Sequence, residues 1–165
     1  MTPLNQRLVY DLETGEVRDA DRRYLLMRPD VLMGALARLD ARDRTRVLQA
    51  FADSAADNGG KSVRAYLGEA DAKAEPLLDI IRSTAAALGW GRWAFESAPG
   101  SLRLAVHNSP FAAGFGPCDQ PVCAPISGML RSVAEHTLQG PVAVSETTCA
   151  AQGNDTTCRF AATRT

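Results

Sequence analysis

The hydrophobic period of this chain changes at Trp90, and that change restricts the fold more than any other feature. Before it, apolar residues recur at helical spacing. Val31, Leu32, Ala35, Leu36 and Leu39 share one face. Val47, Leu48, Phe51, Ala52 and Ala55 form a second stripe, and Leu77, Leu78, Ile80, Ile81, Thr84, Ala85 and Leu88 a third. After it, strand alternation takes over: Leu102, Leu104 and Val106 on one side, Arg103, Ala105 and His107 on the other. Such a chain is expected to be α+β. A mainly helical part, 1–89, would pack on an antiparallel sheet belonging to a β-β-α-β-β unit, 90–165.

Punctuation residues place the boundaries. Glu13-Thr14-Gly15-Glu16 reads as a turn between two early strands, 8–12 and 17–27, with Tyr24-Leu25-Leu26-Met27 a short buried segment. Arg28-Pro29-Asp30 opens a helix, because Pro suits a first turn and Asp the positive end of the dipole. Asn58-Gly59-Gly60 is expected to stop the next helix, 43–57. A short helix over 62–67 would then bury Val63, Tyr66 and Leu67. Glu75-Pro76 begins or continues a longer one, which Gly89 closes. Ala98-Pro99-Gly100-Ser101 turns a hairpin. Residues 108–117 read as a Gly/Pro-rich loop carrying Phe111 and Phe115. A helix follows to Leu138, and Gly140-Pro141 breaks it. The runs 142–146 and 157–161 form a last antiparallel pair across Gly153-Asn154-Asp155. No repeat or linker divides the chain, so 165 residues read as a single domain large enough for a sizeable core.

Charge and composition exclude several functions. Hydrophobic residues make up 45% and charged residues 22%, with a formal net charge of −1 and a pI near 6.1. No global field favours nucleic acid or an anionic membrane. No apolar run suits a bilayer span or a signal peptide, so a cytoplasmic setting is expected, where thiols stay reduced. Gly59-Gly60-Lys61-Ser62 imitates the end of a phosphate-binding loop, but the earlier glycine position is Ala55 and a helix precedes it. No nucleophile-elbow pattern accompanies His107 or His136, and no catalytic residue is assigned.

Two groups carry chemistry. Trp90, Trp93, Phe95, Phe111 and Phe115 suit either core or the wall of an apolar pocket. All four cysteines lie late in the chain. Glu146-x-x-Cys149 and Cys158 fall on two adjacent strands and their turn, and Cys123 begins the preceding helix. Three thiolates and a carboxylate would fill a tetrahedral zinc site and leave no position for an activated water. Buried free thiols and a redox-active Cys149–Cys158 pair stand beside that reading.

Asn108-Ser109-Pro110-Phe111, Gln120-Pro121-Val122-Cys123 with Gly128, Glu146-Thr147-Thr148-Cys149-Ala150-Ala151-Gln152-Gly153 and Cys158-Arg159-Phe160 resemble the bacterial 4-vinyl-reductase domain family. They are similar also to the ligand-sensing domain of phenol- and aromatic-hydrocarbon-responsive transcription activators. Arg23-Tyr24-Leu25-Leu26-Met27-Arg28-Pro29 resembles the N-terminal part of that sensor. The resemblance implies an α+β fold shared with haem-based nitric-oxide sensors and TRAPP subunits, often dimeric through the helical half. It also implies a structural zinc on Cys123, Glu146, Cys149 and Cys158, with Cys118 outside the set as a bystander or a weaker alternative to Cys123. Beside the zinc it implies a pocket for a small apolar or aromatic molecule, with Trp93, His107, Phe111 and Phe115 as ligand-binding candidates. The function expected is a sensor or carrier without catalysis, working as a homodimer or through a partner regulatory protein. The alternatives are an accessory or reductase-like factor handling a vinyl tetrapyrrole in bacteriochlorophyll synthesis, and a thiol redox switch. No dinucleotide or flavin motif supplies a hydride source for the former.

Overall fold

A computed structural model describes the backbone of residues 3–69, 74–153 and 155–165, and the side chains of these except 62, 64–69, 74 and 75. A short helix, α1 (Leu4–Arg7), leads into β1 (Val9–Asp11), β2 (Glu16–Asp19) and β3 (Arg22–Tyr24), which pair in the order β1-β2-β3. Helices α2 (Pro29–Ala37), α3 (Ala41–Glu69) and α4 (Ala74–Ala87) follow. Then come β4 (Arg92–Ala98), β5 (Ser101–His107), α5 (Pro110–Phe115), α6 (Ala124–Thr137), β6 (Val142–Thr148) and β7 (Thr157–Arg164), with a 3-10 turn, Ala150–Gln152, between the last two strands. The fold is α+β, with helices ahead of the main sheet, as the change of period implies.

The four-stranded sheet is antiparallel in the order β4-β5-β7-β6, so the last strand returns to the middle. Its inner face is the one the alternation marks: Leu102, Leu104 and Val106 are buried, and Phe160 and Ala162 on β7 continue the row. Helix α6 packs against β5, β6 and β7 through Ile126, Leu130, Val133 and Ala134, and α3 packs on α6. Burial of this apolar surface is the main stabilising term, at roughly 25 cal/mol per Å² removed from water.

Four expectations need correction. Asn58-Gly59-Gly60 does not end a helix: α3 runs straight through it. Both helices use glycine for close approach instead. A Cβ on Gly59 would sit 2.1 Å from Met129 Sδ, and one on Gly128 would sit 2.0 Å from the Ala52 carbonyl oxygen. The early segment makes three short strands rather than a hairpin, and Leu25, Leu26 and Met27 are exposed, not buried. Val31 also lies on the solvent side of α2, while Met33 and Leu36 face inward. Finally, the Gly/Pro-rich stretch after Asn108 contains α5, which starts with Pro110 at the first helical position and Ser109 accepting from the Ala112 N–H. The burial expected of Tyr66 and Leu67, and the place of Asn154, lie outside the described residues. No described helix is long and apolar enough to cross a membrane.

Candidate functional site: a four-ligand cluster beside an apolar cavity

Glu146 and Cys149 are three positions apart, and in a regular strand such residues point to opposite faces. A β-bulge resolves this. Glu146 pairs with Phe160, but Thr148 pairs with Arg159, so β6 carries one extra residue there. The parity resets, and both Glu146 and Cys149 reach the inner face. The Thr147 hydroxyl donates to the Arg159 carbonyl at 3.2 Å across the bulge. Cys158 faces inward from β7 by ordinary alternation, and Cys123 arrives from the N-cap of α6.

One ligand atom from each of Cys123, Glu146, Cys149 and Cys158 lies within 4.8 Å of all the others. The three cysteines are wholly buried and carry free thiols. Cys123 Sγ is 3.8 Å from Cys149 Sγ and 3.6 Å from Cys158 Sγ, far beyond a disulfide bond of about 2.05 Å. Backbone amides support the anionic forms: the Cys123 N–H donates to Glu146 Oε2 at 2.9 Å, and the Ala150 N–H to Cys158 Sγ at 3.3 Å. The Ser109 hydroxyl contacts Cys123 Sγ at 3.2 Å. The turn between β6 and β7 is tied down as well. Gln152 accepts from the Cys149 N–H and donates to the Asp119 carbonyl, and the Cys118 N–H donates to the Ala151 carbonyl. Cys118 itself turns to Asp119, outside the cluster.

Four acids at one point cannot all ionise without a cation. Hydrogen bonds with Cys123 and Cys149 hold the Cys158 thiol low, at about 3, while hydrogen bonds with Cys149 and Cys158, together with burial, push Cys123 far up. Burial and the Cys149 sulfur raise the Glu146 carboxyl to about 8. Its Oε1 is buried with no hydrogen-bond partner. A carboxylate that converges with three sulfurs and keeps one buried oxygen without a partner fits a metal ion, which would reverse these penalties. The cluster could hold such an ion.

The second feature is a cavity of about 560 Å³. Its walls are mostly apolar: Ile81, Ala85 and Leu88 of α4 and its C-terminal end, with Thr84 among them, Met129 of α6, and both tryptophans, Trp90 and Trp93. Phe111 stacks edge-on against Trp90 at 5.1 Å, and Phe95 against Trp93 at 5.9 Å, so the indoles are held from behind. Trp93 Nε1–H donates to the Trp90 carbonyl at 3.0 Å. The rim is polar, with Asp21, Arg22, Arg23, Tyr24, Asn58 and Lys61.

Of the four ligand-binding candidates, Trp93 lines this cavity. Phe111 stands one layer behind it, Phe115 lies under the Arg44 guanidinium at 5.3 Å, and His107 pairs through Nδ1 with the Thr157 hydroxyl at 3.1 Å. His136 is exposed in the last turn of α6. Sequence reasoning missed the rim residues on β3 and α3. Lys61 drew notice only as part of an imitation phosphate loop, and nothing local in residues 21–24 announces a cavity. Cluster and cavity are linked by one cross-strand row: Trp93 pairs with Val106, and Val106 with Cys158, all three buried. Two strand spacings, about 10 Å, separate its ends.

Residues 102–164 match the family model of the 4-vinyl-reductase domain. A search of curated proteins by sequence gives no match. Among solved structures, the chain is similar to the phenol-responsive sensory domain of the transcription activator PoxR with phenol. The TM-score is 0.80 and the identity 16%, over 98% of this chain and 86% of that one. It is similar also to a vinyl-4-reductase family protein from Methanocaldococcus jannaschii, with TM-score 0.54, identity 14%, and 88% and 85% covered. A third is trafficking protein particle complex subunit 3 from Naegleria fowleri, covalently bound to palmitic acid, with TM-score 0.50, identity 10%, and 82% and 93% covered. The stretch from β5 to β7, which carries the cluster, thus matches the 4-vinyl-reductase domain, and nearly the whole chain has the fold of the phenol-responsive sensory domain.

Proposed function

We propose that this chain is a zinc-containing binding domain for a small apolar or aromatic ligand, and that it works as a sensor or carrier without catalysis. The observation that carries the reading is the pairing of an apolar, tryptophan-walled cavity with a closed four-ligand cluster on the same sheet. Ligand pockets of this kind span about 300–1,000 Å³ and are mostly apolar with a few placed polar groups. The likeness to a sensory domain crystallised with phenol supports the same reading.

Zinc suits the donor set. With Zn–S near 2.3 Å, a tetrahedral site has S···S edges of about 3.8 Å. The observed separations of 3.6 and 3.8 Å support that geometry. Cys123, Cys149, Cys158 and Glu146 would occupy all four positions, so the ion would act as a structural tie. It would fasten the start of α6 to the β6–β7 turn. The output would pass to a second copy of the chain or to a regulatory partner, because α3, which lines the cavity, belongs to the helical half.

Two measurements test this. Elemental analysis of purified protein should find about one zinc per chain, and less than half an equivalent would sink the metal assignment. Calorimetric titration with single- and two-ring aromatics should show saturable binding of at least one, and none binding at solubility-limited concentration would remove the ligand-binding role.

A further inference from the structure

The cavity is larger than one aromatic ring needs, and its charged lining residues come from around the start of β3 and from α3. A dry engineered cavity of about 150 Å³ holds benzene, whereas this one measures about 560 Å³. Apart from Tyr24, Asn58 and Thr84, the uncharged lining side chains offer hydrocarbon, thioether and indole, and the Trp93 N–H is already committed to the Trp90 carbonyl. Of the charged lining residues, Asp21, Arg23 and Lys61 are exposed and Arg22 is half-buried. Three are cations, Arg22, Arg23 and Lys61, and one is a carboxylate, Asp21, among the described lining residues. Arg22 and Arg23 pair with Asp19 at 3.6 Å and Glu16 at 3.2 Å, neither of which lines the cavity. The hydrogen-bond partner of Lys61 is a neutral amide, Asn58 Oδ1, at 3.0 Å. A long, flexible ammonium stem at the mouth of an apolar slot can swing from an amide to an anion, and a charge-assisted bond is roughly twice as strong as a neutral one.

Resting on the ligand-binding role proposed above, we infer that the ligand is an amphipathic acid. Its apolar body exceeds one ring and lies between the tryptophans, and its anionic group sits at the mouth on Lys61. The chain then distinguishes ligands by charge at one end and size at the other. A single neutral ring would leave most of the cavity unfilled and the ammonium on its amide partner.

The probes are 2-naphthoate, 2-naphthol and benzoate, titrated calorimetrically at neutral pH into the full chain and into Lys61→Met, which keeps most of the stem and removes the charge. Both tryptophans of the chain line the cavity, so their fluorescence reports occupancy independently. The expected result is that 2-naphthoate binds about tenfold tighter than either 2-naphthol or benzoate. Lys61→Met should erase the advantage over 2-naphthol while leaving 2-naphthol affinity unchanged, and added salt should weaken only the naphthoate complex. If 2-naphthol binds as tightly as 2-naphthoate, or Lys61→Met weakens both equally, the acid specificity is overturned and the ligand-binding role stands. Benzoate matching 2-naphthoate would overturn the size requirement. If none of the three binds, the ligand-binding role falls with it.

Discussion

The cysteine–glutamate cluster and the cavity share one sheet and are joined by the row Trp93, Val106, Cys158, yet they are built on opposite terms. The cluster gathers polar, ionisable atoms where exposure is zero at each cysteine, and it leaves a buried carboxylate oxygen without a partner. The cavity gathers apolar walls and puts its charges at the rim. Buried charge demands neutralisation, so the cluster is coupled to folding. An apolar wall demands only shape, so the cavity can stand open and wait for an occupant. On the function proposed above, stability belongs to the first region and selectivity to the second.

The sharpest way to break that contrast is Cys158→Ser. It should release the metal and lower stability by more than about 3 kcal/mol, because structural metal binding contributes folding free energy directly. Thermal melting with metal analysis checks this, and an unchanged melt with full zinc content would erase the distinction between the two regions.

The next effect is one of sign. In the metal-free chain the Glu146 carboxyl is raised from 4.5 to about 8 by burial and the Cys149 sulfur. Its contribution is fully present below the unfolded value and is lost as pH rises from about 4.5 towards 8. The Cys158 thiol, held at about 3, offsets that loss in the metal-free chain, because a depressed group gains stability as pH rises towards its unfolded value. Metal-loaded protein should gain more over the same window, since its other ligands must shed protons to bind. The gap in melting temperature between loaded and chelator-treated protein should therefore widen with pH. A gap that narrows would contradict a metal on Glu146.

A smaller effect sits on the seam between α3 and α6, where the helix that starts the cluster meets the helix that lines the cavity. Gly128→Ala would press on the Ala52 backbone and should cost about 1–3 kcal/mol. Gly59→Ala presses only on the flexible Met129 tip, and the gain in helix propensity, up to about 1 kcal/mol, should leave it near wild type. Denaturant melts rank the two, and equal losses would mean that the seam is not held by backbone contact. A change confined to binding is expected from Trp93→Phe. It trims the apolar wall that the ligand contacts, so 2-naphthoate affinity should fall by about 1 kcal/mol with metal content unchanged. Loss of zinc in that variant would show that the two regions are one.

Much of this was legible in the residues. The inward row Leu102, Leu104, Val106 and the α6 core follow directly from period, and the four ligand types stand at the positions that the cluster uses. The odd spacing of Glu146 and Cys149 was itself a signal: two ligands on one face of one strand require a bulge between them. Other features misled. Asn58-Gly59-Gly60 has the composition of a helix stop, and the backbone at that point takes no positive φ; Gly59 serves close packing against Met129 rather than chain reversal. Residues 25–27 are as apolar as a core segment and are exposed all the same.

The type and order of the main elements follow from the residues alone, because helical and strand periods are properties of neighbours a few positions apart. So do the donor atoms available to a metal. The location of the cavity does not, nor which candidates line it, nor that Lys61 stands at its mouth while His107 and Phe115 do not; these are matters of tertiary packing. A cavity is the space left between packed elements, and its walls come from β3, α3, α4, β4 and α6, far apart in the chain. No local pattern records such a space. It is set by how closely α3 and α6 approach and by the row that ties Trp93 to Cys158.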